Sequence, residues 1–184
     1  MIRTRLVLLS VFLLVLLNSL CRASDQVAEV RLYAIDCGRM DFKDMGALFS
    51  DTGEYACQAG TFVDPCFLIR HPKGTLLWDT GLGDKISENK NGIEIPEFGV
   101  HMAVSAGLVD QLTTMNMSAS DITYLAFSHF HFDHTGNAGL FAGSTWIVQK
   151  AVLANAEQMP QHADLVAQSQ VLEFEGNARA EERT

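Results

Sequence analysis

The sequence predicts an α+β fold, and two patterns carry that reading: short runs of strand-forming residues bounded by turns, and one segment with apolar residues at helical spacing. At 184 residues and 48% hydrophobic content the chain is long enough for one compact domain and short for two. Val27 to Asp36, with Val27, Val30, Leu32, Ala34 and Ile35, reads as a first, imperfectly alternating strand. Cys37 to Gly60 has four glycines, many polar residues and no sustained period, which predicts a long loop.

Phe62-Val63 and Cys66 to Ile69 read as a strand interrupted by Pro65, followed by the turn His71-Pro72-Lys73-Gly74 and a second apolar run, Thr75 to Trp78. That hairpin delivers Asp79-Thr80-Gly81 where the chain leaves the sheet. Val104, Leu108, Leu112 and Met115 predict an amphipathic helix from about Ala103 to Met115. Ser118 or Ser120 can cap a short helical turn, and Ile122 to Phe127 then reads as a buried strand running into Ser128. Trp146-Ile147-Val148 predicts a strand, Ala151 to Gln158 a helix, and Val171 to Phe174 a last strand. The end, from Gly176 to Thr184, is wholly polar and reads as a disordered tail, leaving 24–175 as the domain.

The first residues have another character. Arg3 and Arg5 precede an apolar stretch, Leu6 to Leu17, and Ala23 closes a small-x-small site, the pattern of a cleaved export signal over 1–23. The stretch is short of the ~20 apolar residues that span a bilayer. The expectation is therefore an exported protein, periplasmic or extracellular, with no stable membrane span. Cleavage removes Arg3, Arg5 and Arg22 from the 13 basic residues and leaves all 22 acidic ones. Such a balance, with no Lys/Arg block, argues against a nucleic-acid surface. Cys37, Cys57 and Cys66 remain, so at most one internal bridge forms. Cys57 and Cys66 are nearest in sequence, but spacing leaves the pairing open. Without a CxxC pair, a thiolate zinc site is disfavoured.

The chemistry concentrates in His129-Phe130-His131-Phe132-Asp133-His134. Residues two apart on an extended segment point the same way, so His129 and His131 can grip one ion, and Asp133 and His134 can face a second as the chain curls. Imidazole with carboxylate suits zinc, and iron or manganese accept the same donors. Thr135-Gly136-Asn137-Ala138-Gly139 leaves room for backbone to approach a ligand. His71 in a turn, His101 before the helix and His162 at a surface helix start read as exposed or structural.

This cluster resembles the signature of the metallo-β-lactamase superfamily, and Leu76 to Gly81 resembles the strand and turn that precede it there. Ser128 to Gly139 is most similar to the N-acyl homoserine lactonase group. The resemblance implies an αββα sandwich with a dinuclear zinc site, of which only the N-terminal part is present. It implies His129 and His131 on one metal, Asp133 and His134 on the other, and Asp79 just behind them, orienting a ligand by hydrogen bonding. It also implies a small lactone or ester substrate, opened by hydroxide attack, with Asp133 assisting proton transfer to the leaving alkoxide. Other ester, thioester or β-lactam hydrolysis, or metal binding without catalysis, are the alternatives. Relatives draw further ligands from later His and Asp residues, which do not occur after Phe174, so the chain as given is expected to turn over poorly. The inner sheet face, around Phe67 and Leu125, is expected to be uncovered.

Overall fold

The computed structural model describes residues 29–157, 166–167 and 169–175. The segment read as an export signal, His162 and the segment read as a disordered tail from Gly176 lie outside the described residues. Eight strands form one sheet: β1 (Arg31–Phe42), β2 (Gly60–His71), β3 (Gly74–Trp78), β4 (Ile93–Ile95), β5 (Val100–Ala103), β6 (Tyr124–Ala126), β7 (Thr145–Gln149) and β8 (Gln170–Phe174). Their order is β4-β5-β1-β2-β3-β6-β7-β8. The β1, β2 and β3 pairings are antiparallel, whereas β3, β6, β7 and β8 run parallel. Among the described residues the helices α1 (Gly46–Phe49), α2 (Leu108–Thr114), α3 (Phe132–Thr135) and α4 (Lys150–Glu157) accompany them. Among the described residues no helix is long and apolar enough to cross a membrane.

β1 runs six residues beyond the expected strand, into the segment read as a loop. A bulge explains the miss. Asp36 pairs with Pro65 and Arg39 with Val63, so Cys37 and Gly38 together face the single residue Asp64. The buried positions then change phase, from Ile35 and Cys37 to Met40 and Phe42. After the bulge β1 takes β5 as a partner, Arg39 against Ala103 through Phe42 against Val100. His101 therefore lies in a strand, not before a helix. Helix α2 starts later than its spacing suggested, because the Asp84 carboxylate accepts the Leu108 and Val109 N–H groups at 2.7 and 3.1 Å.

Cys37 is bonded to Cys66, and Cys57 is free and exposed. The pair nearest in sequence is not the one joined: Ile35 and Cys66 are cross-strand partners, which sets Cys37 beside Cys66 on the same face. Of the two expected caps it is Ser118 that serves, forming a capping box with Asp121 on a short 3-10 turn, Ala119–Asp121.

One face of the sheet is covered by α2, α4 and a 3-10 turn at Ala138–Phe141. Leu68, Leu77, Leu125 and Trp146 interlock there with Leu108, Leu112 and Phe141, all at most 1% exposed. Leu125 thus belongs to the closed core, contrary to expectation, because its side chain takes the helix side of β6. Among the described residues nothing covers the opposite face. Cross-strand partners Phe67, Trp78, Ala126, Ile147 and Leu172 form one row across it, with Trp78 40% and Leu172 56% exposed. Phe67 is half-buried.

Candidate metal centre

Parallel strands β3 and β6 end side by side, and each releases a loop at its C-terminal edge, the usual place for a site in such sheets. The first loop holds Asp79 to Asp84 and the second holds Ser128 to Asn137. Backbone bonds join them: the Thr80 N–H donates to the His134 carbonyl at 2.7 Å, and the Gly136 N–H to the Gly81 carbonyl at 2.8 Å. Gly136 is required by that approach, since a Cβ there would stand 2.4 Å from the Leu82 carbonyl carbon. Asn137 completes the junction, its amide donating to the Thr80 carbonyl at 2.8 Å and to Asp84 at 2.9 Å.

Asp79 is 4% exposed and has a left-handed backbone, φ 61°, which aspartate tolerates better than most residues. Its Oδ1 accepts the Ser128 N–H at 2.8 Å, and its Oδ2 lies 2.9 Å from His134 Nδ1. With Nδ1 engaged, His134 Nε2 is left facing the Asp133 carboxylate, 3.3 Å away. His129 packs against His131 and His134, with ring centroids 4.4 and 4.1 Å apart. Ser128 Oγ lies 3.1 Å from Nδ1 of both His129 and His134. The structure therefore gathers His129, His131, Asp133 and His134 in one place, with Asp79 behind His134. His71 is far along β2, in the exposed hairpin turn, and His101 sits 3.9 Å from Asp41 on another part of the sheet.

Electrostatics mark the same place. The hydrogen bond to Asp133, then that to Asp79, pushes the His134 imidazole up to about 10. Burial, then the neighbouring His134 and His131, holds His129 below its ordinary value. Asp133 feels burial pushing upward, but its bond to and charge interaction with His134 carry it below the usual carboxylate range. Without an ion, the proton on His134 supplies the positive charge the carboxylates need.

The donor chemistry fits a divalent cation: three imidazoles and a carboxylate at the mouth of two loops, one imidazole already oriented through its far nitrogen. Among the described residues no three such donors already surround a common point. The rings lean on one another, and Asp133 takes the Nε2 of His134.

Sequence reasoning missed four contributors. Thr80, Asn137 and Asp84 knit the loops, and polar residues flanking glycines were the available signal. Asp64 is the fourth. It is 4% exposed, and burial first, with repulsion from Asp133 and Asp79, pushes its carboxyl up to about 7 against the pull of His134 and the Leu82 N–H. An acidic residue inside an apolar strand pattern was its signal.

The comparisons with known proteins agree with this geometry. Residues 60–180 match the metallo-beta-lactamase superfamily. N-acyl homoserine lactonase AttM of Agrobacterium fabrum is 34% identical over 130 residues, 68% of this chain and 48% of that protein. N-acyl homoserine lactonase AiiA of Bacillus thuringiensis subsp. kurstaki is 30% identical over 89 residues, 46% of this chain and 36% of that protein. The chain spans about half the length of the AttM relatives it matches. The crystal structure of a B. thuringiensis AiiA mutant with N-decanoyl-L-homoserine at its active site superposes with a TM-score of 0.63 at 21% identity, covering 82% of this chain and 62% of that one. AidC, a dizinc quorum-quenching lactonase, does so at 0.58 and 15%, covering 82% and 60%. The family match covers most of the described domain, the fold superposes on solved relatives, and the chain belongs to the metallo-beta-lactamase superfamily.

Proposed function

We propose that this chain carries the metal-binding edge of a zinc-dependent lactonase acting on N-acyl homoserine lactones or close analogues. The observation that carries the reading is a cavity of about 470 Å³ whose lining is of two kinds. His129, His131, Asp133 and His134 contribute donors, and Phe42, Leu48, Phe49, Phe62, Phe98 and Phe132 contribute apolar wall. A small polar ring on an apolar tail fits such a space, with the tail on the phenylalanines and the ring carbonyl at the donors. AttM and AiiA, whose names give that activity, support the choice.

In this reading His129 and His131 hold one ion, and Asp133 and His134 hold the other. When bound, zinc supplies Lewis acidity and lowers the proton affinity of water. The chain's own residues do the rest. Asp79 fixes the His134 ring, the Ser128 hydroxyl braces His129 and His134 together, and the phenylalanines exclude water from the acyl chain. Asp133, which lines the cavity, is placed to pass a proton to the alkoxide released when the ring opens.

Ring opening releases acid, so the test is proton release from N-acyl homoserine lactones by the zinc-loaded chain, with a linear ester, a thioester and a β-lactam alongside. Preferential opening of long-chain lactones supports the proposal. Equal or better turnover of the other classes replaces the substrate, and metal uptake without any turnover replaces the function. That last reading draws on one observation: the described residues offer four clustered ligands for two ions, where a catalytic zinc holds about three protein ligands.

Export to the periplasm or medium belongs to the same proposal, supported by the leader composition of residues 1–23. N-terminal sequencing of the protein from its host tests it. A mature start near Ser24 is expected, and retention of Met1 in a membrane fraction overturns it.

A further inference from the structure

Asp64 has no evident reason to be acidic. It shares its face of β2 with Cys66 and Leu68, both 0% exposed, and the alternation calls for an apolar side chain there. Its Oδ2 is buried and has no hydrogen-bond partner among the described residues. Buried polar atoms are nearly always satisfied, and an unsatisfied one in a native fold points to a group that is absent.

The backbone around it is built to leave that oxygen free. On one side the β1 bulge sets Cys37 and Gly38 against Asp64, breaking the ladder at this residue. On the other, β3 stops pairing with β2 at Trp78, opposite Phe67, so Asp64 lies alongside the loop from Asp79 to Gly83 rather than along a strand. Asp64 lines a cavity of about 420 Å³ together with Asp133 and His134, and no Lys or Arg lines it.

We propose that Asp64 is a further oxygen donor of the metal centre, reaching the ion held by Asp133 and His134 directly or through one water. A cation there satisfies the orphaned oxygen and is faced by the acidic side chains of Asp64 and Asp133, with Asp79 behind His134. An added carboxylate also hardens the donor set, favouring manganese or iron relative to zinc more than three imidazoles and one carboxylate do. The inference rests on the metal reading of the cluster and adds a residue to it.

The experiment is metal titration of the full chain, with Zn²⁺, Mn²⁺ and Co²⁺ each alone, for the wild type, Asp64→Asn and Asp64→Leu. Chelator competition gives affinities, cobalt absorption reports coordination, and melting with and without zinc reports folding. Asp64→Asn is expected to weaken one of two ions at least tenfold, to lose more affinity for manganese than for zinc, and to alter the cobalt bands. Asp64→Leu is expected to melt no lower than wild type without metal and to gain less on zinc addition. Wild-type isotherms and spectra in Asp64→Asn overturn the inference while leaving the metal reading intact. So does an Asp64→Leu chain whose zinc-induced shift equals that of wild type, which makes the residue purely structural. A wild-type chain that takes up no metal overturns both.

Discussion

Asp79 and His134 stand 55 positions apart in sequence, yet the carboxylate of one lies 2.9 Å from Nδ1 of the other, and a left-handed Asp79 backbone makes that approach possible. The pair fixes which histidine nitrogen faces the candidate metal position. Asp79→Asn keeps the shape but loses the charge that raises imidazole basicity. Metal affinity is therefore expected to fall about 10- to 100-fold in this variant, measured by chelator competition. Asp79→Ala also removes the acceptor of the part-buried Ser128 N–H bond, which adds a loss of about 0.5–1.5 kcal/mol in unfolding free energy. Unchanged metal affinity in both variants would remove Asp79 from the site.

The same pair sets a pH dependence for the metal-free chain. His134 has its folded value raised to about 10, above its ordinary value near 6.5. A group raised on folding binds its proton more tightly in the native state, so its stabilisation is complete below about pH 6.5 and disappears as pH rises through about 10. Metal-free chain should lose melting temperature across that window, and His134→Gln should flatten the loss. Zinc competes with the same proton, so uptake near pH 8 should release acid. Calorimetry in two buffers of different ionisation enthalpy measures that release.

Much of this architecture can be read from the residues. The β2–β3 hairpin follows from its turn and flanking apolar runs, and β6, β7 and β8 follow from short apolar segments. The four clustered candidate donors, His129, His131, Asp133 and His134, announce themselves by density alone. What escaped depends on long-range geometry. A two-for-one bulge shifts the alternation of β1, so residues 39–42 look like loop until Val63 and Val100 are set beside them. Asp64 and Asn137 gain meaning only when the loops after β3 and β6 meet, an event that no local window contains. The Cys37–Cys66 pairing is hidden for the same reason, because cross-strand register and not spacing decides it.

That bridge closes a loop of sequence separation 29 and pins the bulge beside the site. Constraining an unfolded loop of this length is worth about 3–4 kcal/mol in the chain-entropy account. Cys37→Ser with Cys66→Ser is expected to lower the denaturant midpoint by a corresponding amount. Cys57→Ser, at an exposed free thiol, is expected to change it little. A doubly substituted chain as stable as wild type would mean that the bridge does not form in solution. Thiol counting under denaturing conditions checks this independently, with one reactive thiol expected among Cys37, Cys57 and Cys66.

The open sheet face can be probed through the chain's two tryptophans. Trp78 stands on that face, 40% exposed, at the end of β3, while Trp146 is 1% exposed among Phe127, Phe130 and Phe141 on the covered face. Iodide is charged and does not enter a packed core, so it should quench one emission component and spare the other. In Trp78→Phe the remaining emission is expected to be blue-shifted and nearly unquenched, and in Trp146→Phe it is expected to be red-shifted and almost wholly quenched. Trp146→Phe should also destabilise the chain by about 1–3 kcal/mol, since it shrinks a buried side chain, whereas Trp78→Phe should cost under about 1 kcal/mol. The row of Phe67, Trp78, Ile147 and Leu172 makes the face an apolar patch in water, and such patches associate. If copies cover it for one another, quenching of Trp78 will fall as protein concentration rises, and light scattering will show the larger species. If Trp78 is protected at every concentration, including the lowest, the face is closed within a single chain, and the open arrangement of β3 is wrong.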